Sequence, residues 1–424
     1  MRQAPDAEGS LPVGGSDALI AISFAELRRI TPGGCESLRA AVIGGATLYL
    51  RGEAEDGAGY QLAPLVDSSF TVGRTAKAAV CRFTDHAMIP AVLRGEETFF
   101  PRSINRAYDV SGDVESILLA RDDDGVELPV VFACRAGKGV VICDVQLVDE
   151  TPDTPLIWRL ADPVQRCQMI SALIAVERAV GRDTSSPVPF NLTIDDIPLG
   201  YDYLNESMLE DFFAHIESRC ASAHLDCAWI PTSQRISRRY IDILKNHGAG
   251  FLWHGMHRHV DHQKIADPAA DLEAGKRAME LNEQRYGVKL QPMIIFPFER
   301  AHRSAEELVL KEGFLAGAEQ PRHDEGAARP GYLRYSEHSC VHESGLRFLH
   351  RYEAQFLTRD RMLALAALGM PILAFAHPRD VRLRRLSGIV ERGGTFTHFD
   401  EVLDFAKAKN LPGKSLEEIA RDML

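Results

Sequence analysis

The chain has 424 residues, 48 of them basic and 60 acidic, for a formal net charge of −12, with 45% apolar and 25% charged residues. That balance is globular and excludes a disordered or fibrous chain, and its acidity argues against partners such as nucleic acid or an anionic membrane surface. The most apolar stretch, 362–376, is broken by Gly369 and Pro371 and is too short for membrane insertion.

In chain order, residues 1–15 are small and polar and read as disordered. Residues 16–181 read as a smaller α/β domain of short strands and mixed turns. Within it, 46–50 is an apolar strand after Gly44-Gly45, and 127–134 and 139–143 flank a turn containing Gly137, a hairpin signal. Met169, Leu173, Val176 and Val180 recur at helical spacing and predict a helix over 163–180. The Ser- and Pro-rich stretch 182–189 reads as a linker.

From 190 to 424 the pattern becomes alternating strands and helices. Strands are predicted at 190–194, 225–230, 251–253, 293–296, 314–317, 346–350 and 371–376. Helices are predicted at 205–219, at 237–246, from the Asp267-Pro268 cap to Gly287, at 359–368, at 397–407 and at 415–423. A further helix opens on Ser304-x-x-Glu307, a capping-box pattern. Repeated β-then-α units imply a parallel sheet, and over this length a closed, distorted (β/α)7-type barrel rather than an open sheet. The fold class is thus α/β, a barrel preceded by the smaller α/β domain.

In such barrels active residues lie at the carboxyl ends of strands. The first strand ends in Thr193-Ile-Asp195-Asp196-Ile-Pro198. Strict alternation sends adjacent side chains to opposite sides, so one carboxylate can hold a metal while its neighbour faces a reacting water. The third strand runs into His254, His257, His259 and His262, four histidines in nine residues of a chain holding 15 in all. Neutral imidazole is the usual ligand of first-row metals. The fourth strand ends near Glu299, Arg300 and His302, where Arg300 could orient a carboxylate. The last ends in Phe375-Ala-His377-Pro378, and a histidine leaving an apolar strand suits a general acid.

The order Asp-Asp, histidine-rich loop, Pro-Arg, His-Pro resembles the NodB-type polysaccharide deacetylases. Thr193-Ile-Asp-Asp-Ile-Pro198 matches their Thr-Phe-Asp-Asp-Gly-Pro, and Phe375-Ala-His377 their Leu-x-His. The resemblance covers 190–424 and leans toward a divergent branch with His-Gly-x-x-His and Phe-Pro motifs. It implies one divalent ion, zinc by default, held by Asp196, His254 and His259. Asp195 is then the base, His377 the acid and Arg300 the supporting cation, in the removal of an acyl group from a carbohydrate or glycan. The family's ligand histidines stand four apart, but position 258 is Arg, so His257 is the alternative to His259. Ile197 replaces the motif's Gly, and Arg-Pro-Pro-Tyr is absent.

Two other readings remain open. One is an amidohydrolase-type metal hydrolase using His257-x-His259, although that pair normally leaves the first strand of its barrel. The other is a non-catalytic carbohydrate-binding protein with a degenerate barrel. Tyr201, Tyr203, Trp253 and Phe298 are candidate sugar-stacking aromatics. In the N-terminal half, Gly44-Gly45 with 46–50 and Arg135-Ala-Gly-Lys-Gly-Val-Val-Ile142 resemble a glutamine-amidotransferase-like domain. No cysteine sits in a Gly-x-Cys-x-Gly elbow, so that domain is read as non-catalytic, with glycan binding, roofing of the barrel's mouth or dimerisation as its open roles. The eight scattered cysteines read as buried thiols of a reducing compartment. The first thirty residues show no export signal. The expected location is cytoplasmic, or extracytoplasmic if the start of the chain is missing.

Overall fold

The computed structural model describes residues 18–51, 59–61, 65–66, 68–76, 80–99, 104–121, 124–144, 187–197, 204–232, 236–299, 301–320, 332–335, 339–386, 389–392 and 397–423. The expectations for 1–15, for the helix at 163–180, for most of the linker, and for Arg300, Tyr201 and Tyr203 lie outside the described residues. The chain divides into two compact units, Met1–Ser186 and Pro187–Leu424. No described helix is long and apolar enough to cross a membrane.

In the first unit β1 (Leu19–Ser23), α1 (Phe24–Arg29), α2 (Pro32–Ile43) and β2 (Thr47–Arg51) follow one another. Ser23 and Glu26 form a reciprocal capping box at the start of α1, and Thr31 caps α2 with Pro32 in its first turn. Then come β3 (Gly59–Gln61), β4 (Ser68–Ala76), β5 (Val80–Phe83), β6 (Glu97–Phe99), β7 (Ile104–Gly112), β8 (Val114–Arg121), β9 (Glu127–Ala136) and β10 (Gly139–Asp144). The main sheet runs β1-β2-β10-β9-β8-β5-β6, and β3-β4-β7 form a second sheet. Only β1, β2 and β10 run parallel in the main sheet. The hairpin of β9 and β10 turns at Gly137, whose φ of 58° suits glycine. Leu38 and Val42 of α2 pack on Leu48, Phe132, Val141 and Cys143 to make this unit's core.

The second unit alternates as the hydrophobic pattern predicts. It comprises β11 (Phe190–Ile197), α3 (Glu206–Arg219), β12 (Leu225–Trp229), α4 (Arg238–Asn246), β13 (Gly250–His254), α5 (Pro268–Tyr286), β14 (Met293–Ile295), α6 (Arg303–Lys311) and β15 (Ala316–Glu319). A meander of β16 (Tyr332–Tyr335), β17 (Ser339–His342) and β18 (Arg347–His350) follows. The chain continues through β19 (Tyr352–Glu353), α7 (Arg359–Ala367), β20 (Ile372–Ala376), α8 (Pro378–Arg382), the hairpin β21 (Leu383–Leu386) and β22 (Ile389–Arg392), α9 (Asp400–Ala408) and α10 (Leu416–Met423). Asn205, Ser237, Asp267 and Thr358 cap α3, α4, α5 and α7 with their side chains, and Gly287 ends α5 in the left-handed region. The expected box at Ser304 does not form. The cap of helix α6 is His302, two residues earlier, and Glu307 pairs with Arg303 at 2.7 Å, one turn away on the same helix face.

Strands β15-β14-β13-β12-β11-β20 pair in parallel. β18 pairs with β15, and β19, after the single residue Arg351, pairs with β20. One stretch of chain, 347–353, thus engages both ends of the parallel run. Ala228, Leu252, Met293, Ile295, Ala316, Ala318, Leu349 and Leu373 form one cluster with Leu416, Ile419 and Ala420 of α10. At the amino ends of the strands the buried Asp226 accepts hydrogen bonds from Asn191 Nδ2, Gln291 Nε2 and the Leu416 backbone N–H, at 2.6–2.8 Å, which docks α10 there.

Gly275 lies inside α5, where alanine is worth ~1 kcal/mol more than glycine by propensity. A Cβ there would stand 1.7 Å from the Met256 carbonyl oxygen. Overpacking against backbone should outweigh propensity, so Gly275→Ala is expected to lower stability by about 1–3 kcal/mol. A rise in melting temperature would contradict that close approach.

Candidate active site

Six strand ends of the second unit meet at a cleft of about 510 Å³. Strand β11 delivers Asp195 and Asp196. Its pairing with β12 slips between Ile194 and Ile197, where three steps on β11 match two on β12. This is a bulge of one extra residue, and Asp196 sits in it with φ 58°. The expectation that the two carboxylates point to opposite sides is therefore corrected. The bulge breaks the alternation, and both side chains line the same cleft.

Strand β13 ends at His254, which is buried. Its Nδ1 lies 3.1 Å from the Ile295 carbonyl oxygen and its Nε2 lies 2.9 Å from Asp196 Oδ1. A carbonyl can only accept, so Nδ1 carries the proton. With Nδ1 so engaged, Nε2 is the atom this ring turns toward the carboxylate and would offer to a metal. His259 Nε2 lies 2.8 Å from the same oxygen. The ligand atoms of Asp196, His254 and His259 all lie within 4.8 Å of one another, so this donor set fits a divalent metal. Burial pushes the Asp196 carboxyl up, but hydrogen bonds from the two imidazoles outweigh it and hold the group well below the usual carboxylate range.

The other two loop histidines serve elsewhere. His257 Nδ1 lies 3.6 Å from Asp271 and does not join the donor group. His262 is buried, accepts the Met256 N–H at 3.0 Å and donates to the Val260 carbonyl at 2.9 Å, which fixes the loop.

Asp195 is held by a residue the sequence reading does not select. Arg351, buried between β18 and β19, donates from Nη1 to Asp195 Oδ1 at 2.7 Å and lies over the Phe375 ring, 4.1 Å from its centroid. Burial alone would raise the Asp195 carboxyl, but the Arg351 guanidinium and nearby imidazoles bring it below its ordinary value. Arg351 thus gives Asp195 a cationic partner, and Arg300 lies outside the described residues. The predicted strand 346–350 stops one residue short of Arg351.

His377 follows β20. Its Nδ1 lies 3.2 Å from Asp380 Oδ2 and its Nε2 3.9 Å from Asp196 Oδ2. Burial lowers its pKa, but Asp380, Asp195 and Asp196 more than offset this and raise it above the ordinary imidazole value. Phe298 and Glu299, after β14, complete the cleft with φ of 57° and 54°. Phe298 is 61% exposed with its ring 5.2 Å from that of His259, whereas Trp253 packs edge-on against Phe314.

No family model matches the sequence, and no curated protein matches it. Among solved structures the chain is similar to a family 4 carbohydrate esterase from Streptomyces lividans in complex with acetate, at 9% identity and a TM-score of 0.35, over 54% of this chain and 93% of that one. It is also similar to a protein from Mycobacterium smegmatis proposed to be a polysaccharide deacetylase, at 13% identity and a TM-score of 0.38, over 56% and 91% of the two chains. A third likeness is to T48 deacetylase with substrate, at 13% identity and a TM-score of 0.33, over 56% and 92%.

Glu299 gives a testable pH dependence. Burial raises its carboxyl from 4.5 to about 7, with Arg351 offsetting part of the effect. The folded chain keeps a proton there that the unfolded chain gives up, so this group contributes stability at low pH that is lost as pH rises toward 7. Glutamine cannot titrate. The melting temperature of Glu299→Gln, relative to wild type, should therefore rise between about pH 5 and about pH 8. A constant or falling difference would count against a protonated Glu299.

Proposed function

We propose that this chain is a metal-dependent hydrolase that removes an acetyl group from the nitrogen of an amino sugar in a glycan. The observation that carries the reading is the separation of two adjacent carboxylates: Asp196 faces two imidazoles at 2.9 and 2.8 Å, while Asp195 faces Arg351 at 2.7 Å. We read the run 347–353 as the strand that closes the sheet into a (β/α)7 barrel, with the cleft at the carboxyl ends of its strands.

Asp196, His254 and His259 offer one carboxylate and two imidazoles, a zinc-type donor set that leaves a position open. A divalent ion held there would supply Lewis acidity, polarising a carbonyl and lowering the pKa of a water to about 7. Asp195 is not in the donor group, and Arg351 keeps it ionised, so it can take the proton of an attacking water. His377, its ring oriented by Asp380 and its pKa raised above the ordinary imidazole value, is placed to pass a proton from Nε2 to the departing amine nitrogen. The exposed Phe298 ring offers an apolar face to a sugar beside His259. The distance of His257 from the donor group argues against a His257-x-His259 site.

The test is acetate release from N-acetylglucosamine oligomers, with bound metal measured on the same preparations. Asp196→Ala and His254→Ala are expected to lose one metal equivalent and the activity. Asp195→Asn should keep the metal and slow turnover by at least ~10²-fold. Full turnover by Asp195→Asn would overturn the base assignment. Wild-type protein that binds glycan but never releases acetate would make the chain a binding protein.

A further inference from the structure

Outside the cleft, three adjacent strands bring a second set of metal-type donors to one face of the sheet. Glu319, the last residue of β15, is in register with His350, the last residue of β18. Cys340 of β17 is in register with Phe348 of β18. Side chains alternate with period two, so Cys340 and His342 share a face with Phe348 and His350. This face packs toward α6, since Cys340 and Phe348 cluster with Ala305 and Val309. Leu349, between them, belongs to the opposite cluster.

Glu319, Cys340 and His350 are 5%, 1% and 2% exposed. Their ligand atoms lie within 4.8 Å of one another, with Cys340 Sγ 3.2 Å from Glu319 Oε1. His342 Nε2 lies 3.5 Å from that same oxygen. On its other side His342 Nδ1 lies 2.9 Å from Glu306 Oε1 of α6, and Glu306 Oε2 accepts from Ser344 Oγ at 2.7 Å. His342 thus links the Glu306 and Glu319 carboxylates, and such outer partners orient a ligating carboxylate. In a tetrahedral zinc site, bonds of about 2.0–2.3 Å put donor atoms roughly 3.3–3.7 Å apart, so the cluster needs only a small contraction.

We propose that Glu319, Cys340 and His350 form a second site for a zinc-type divalent ion, structural rather than catalytic, with His342 holding the Glu319 carboxylate from outside the donor group. Binding exchanges the Cys340 thiol proton for the ion: the S–H bond breaks, an S–metal bond forms and the proton leaves to solvent. The ion ties β15, β17 and β18 together immediately before Arg351. This site is independent of the deacetylase reading, because it shares no residue with the cleft's donor group.

The experiment is titration of chelator-treated full-length protein with cobalt(II), followed by absorbance. Only the proposed second site contains sulfur, so only it gives an intense thiolate-to-cobalt charge-transfer band in the near ultraviolet. The expected result is that band in wild type and in His254→Ala, with its loss in Cys340→Ser and one fewer cobalt bound in each variant. Wild-type protein that takes up cobalt without the band overturns the proposal, and this arm needs no folded variant. Retention of band and stoichiometry in Cys340→Ser overturns it as well. Loss of one equivalent in His254→Ala with the band intact reports on the cleft alone, so the two readings fail separately.

Discussion

Two carboxylates on consecutive residues can take different roles only if each is given its own counter-charge. The ion pair between Arg351 and Asp195 does this for the second unit. Asp195 is 2% exposed, and so is Arg351. Removing one partner of such a pair strands a buried charge, at a cost of about 3–5 kcal/mol. With Asp195 committed to the guanidinium, Asp196 is left to the two imidazoles. The rest of the cleft follows from that division: a donor group on one side, an ionised carboxylate outside it, and His377 near Asp196 on the strand paired with β11.

The backbone is distorted where this division is made. Asp196, Phe298 and Glu299 are three of the four described non-glycine residues with positive φ, and all three line the cleft. The left-handed region costs such residues about 1–2 kcal/mol each. Distortion gathered at one place is held by its surroundings, and it marks positions where side-chain direction matters more than backbone comfort. At Asp196 the consequence is direct, because without the bulge one carboxylate would point away from the cleft.

Much of the second unit was legible from local signals. Asp267-Pro268 and Gly287 bound α5, Ser237 and Gly248 bracket α4, and the apolar runs fall on buried strands. Asp196, His254 and His259 were legible because each ends an apolar strand or follows it within a few residues. The rest depended on contacts distant in sequence. Arg351 reads locally as one more basic residue after a short strand; only its pairing with Asp195, 156 residues earlier, sets it apart. The opposed carboxylates failed because a bulge leaves no mark in the composition around Asp195. The box at Ser304 failed because the helix begins at Arg303, which puts Ser304 inside the first turn instead of at the cap.

The run 347–353 links these observations. Alternation sends Leu349 into the inner cluster, His350 to the outer face beside Glu319, and Arg351 inward onto Asp195 and Phe375. A slip of one residue would exchange those faces, turning Arg351 away from Asp195 and Leu349 out of its cluster. The register is fixed on both sides, by β15 through His350 and by β20 through Tyr352 and Glu353. The position of Arg351 is thus determined by pairing at both ends of a seven-residue stretch rather than by its own contacts alone. That double constraint is how a long, flexible side chain can serve as a fixed counter-ion.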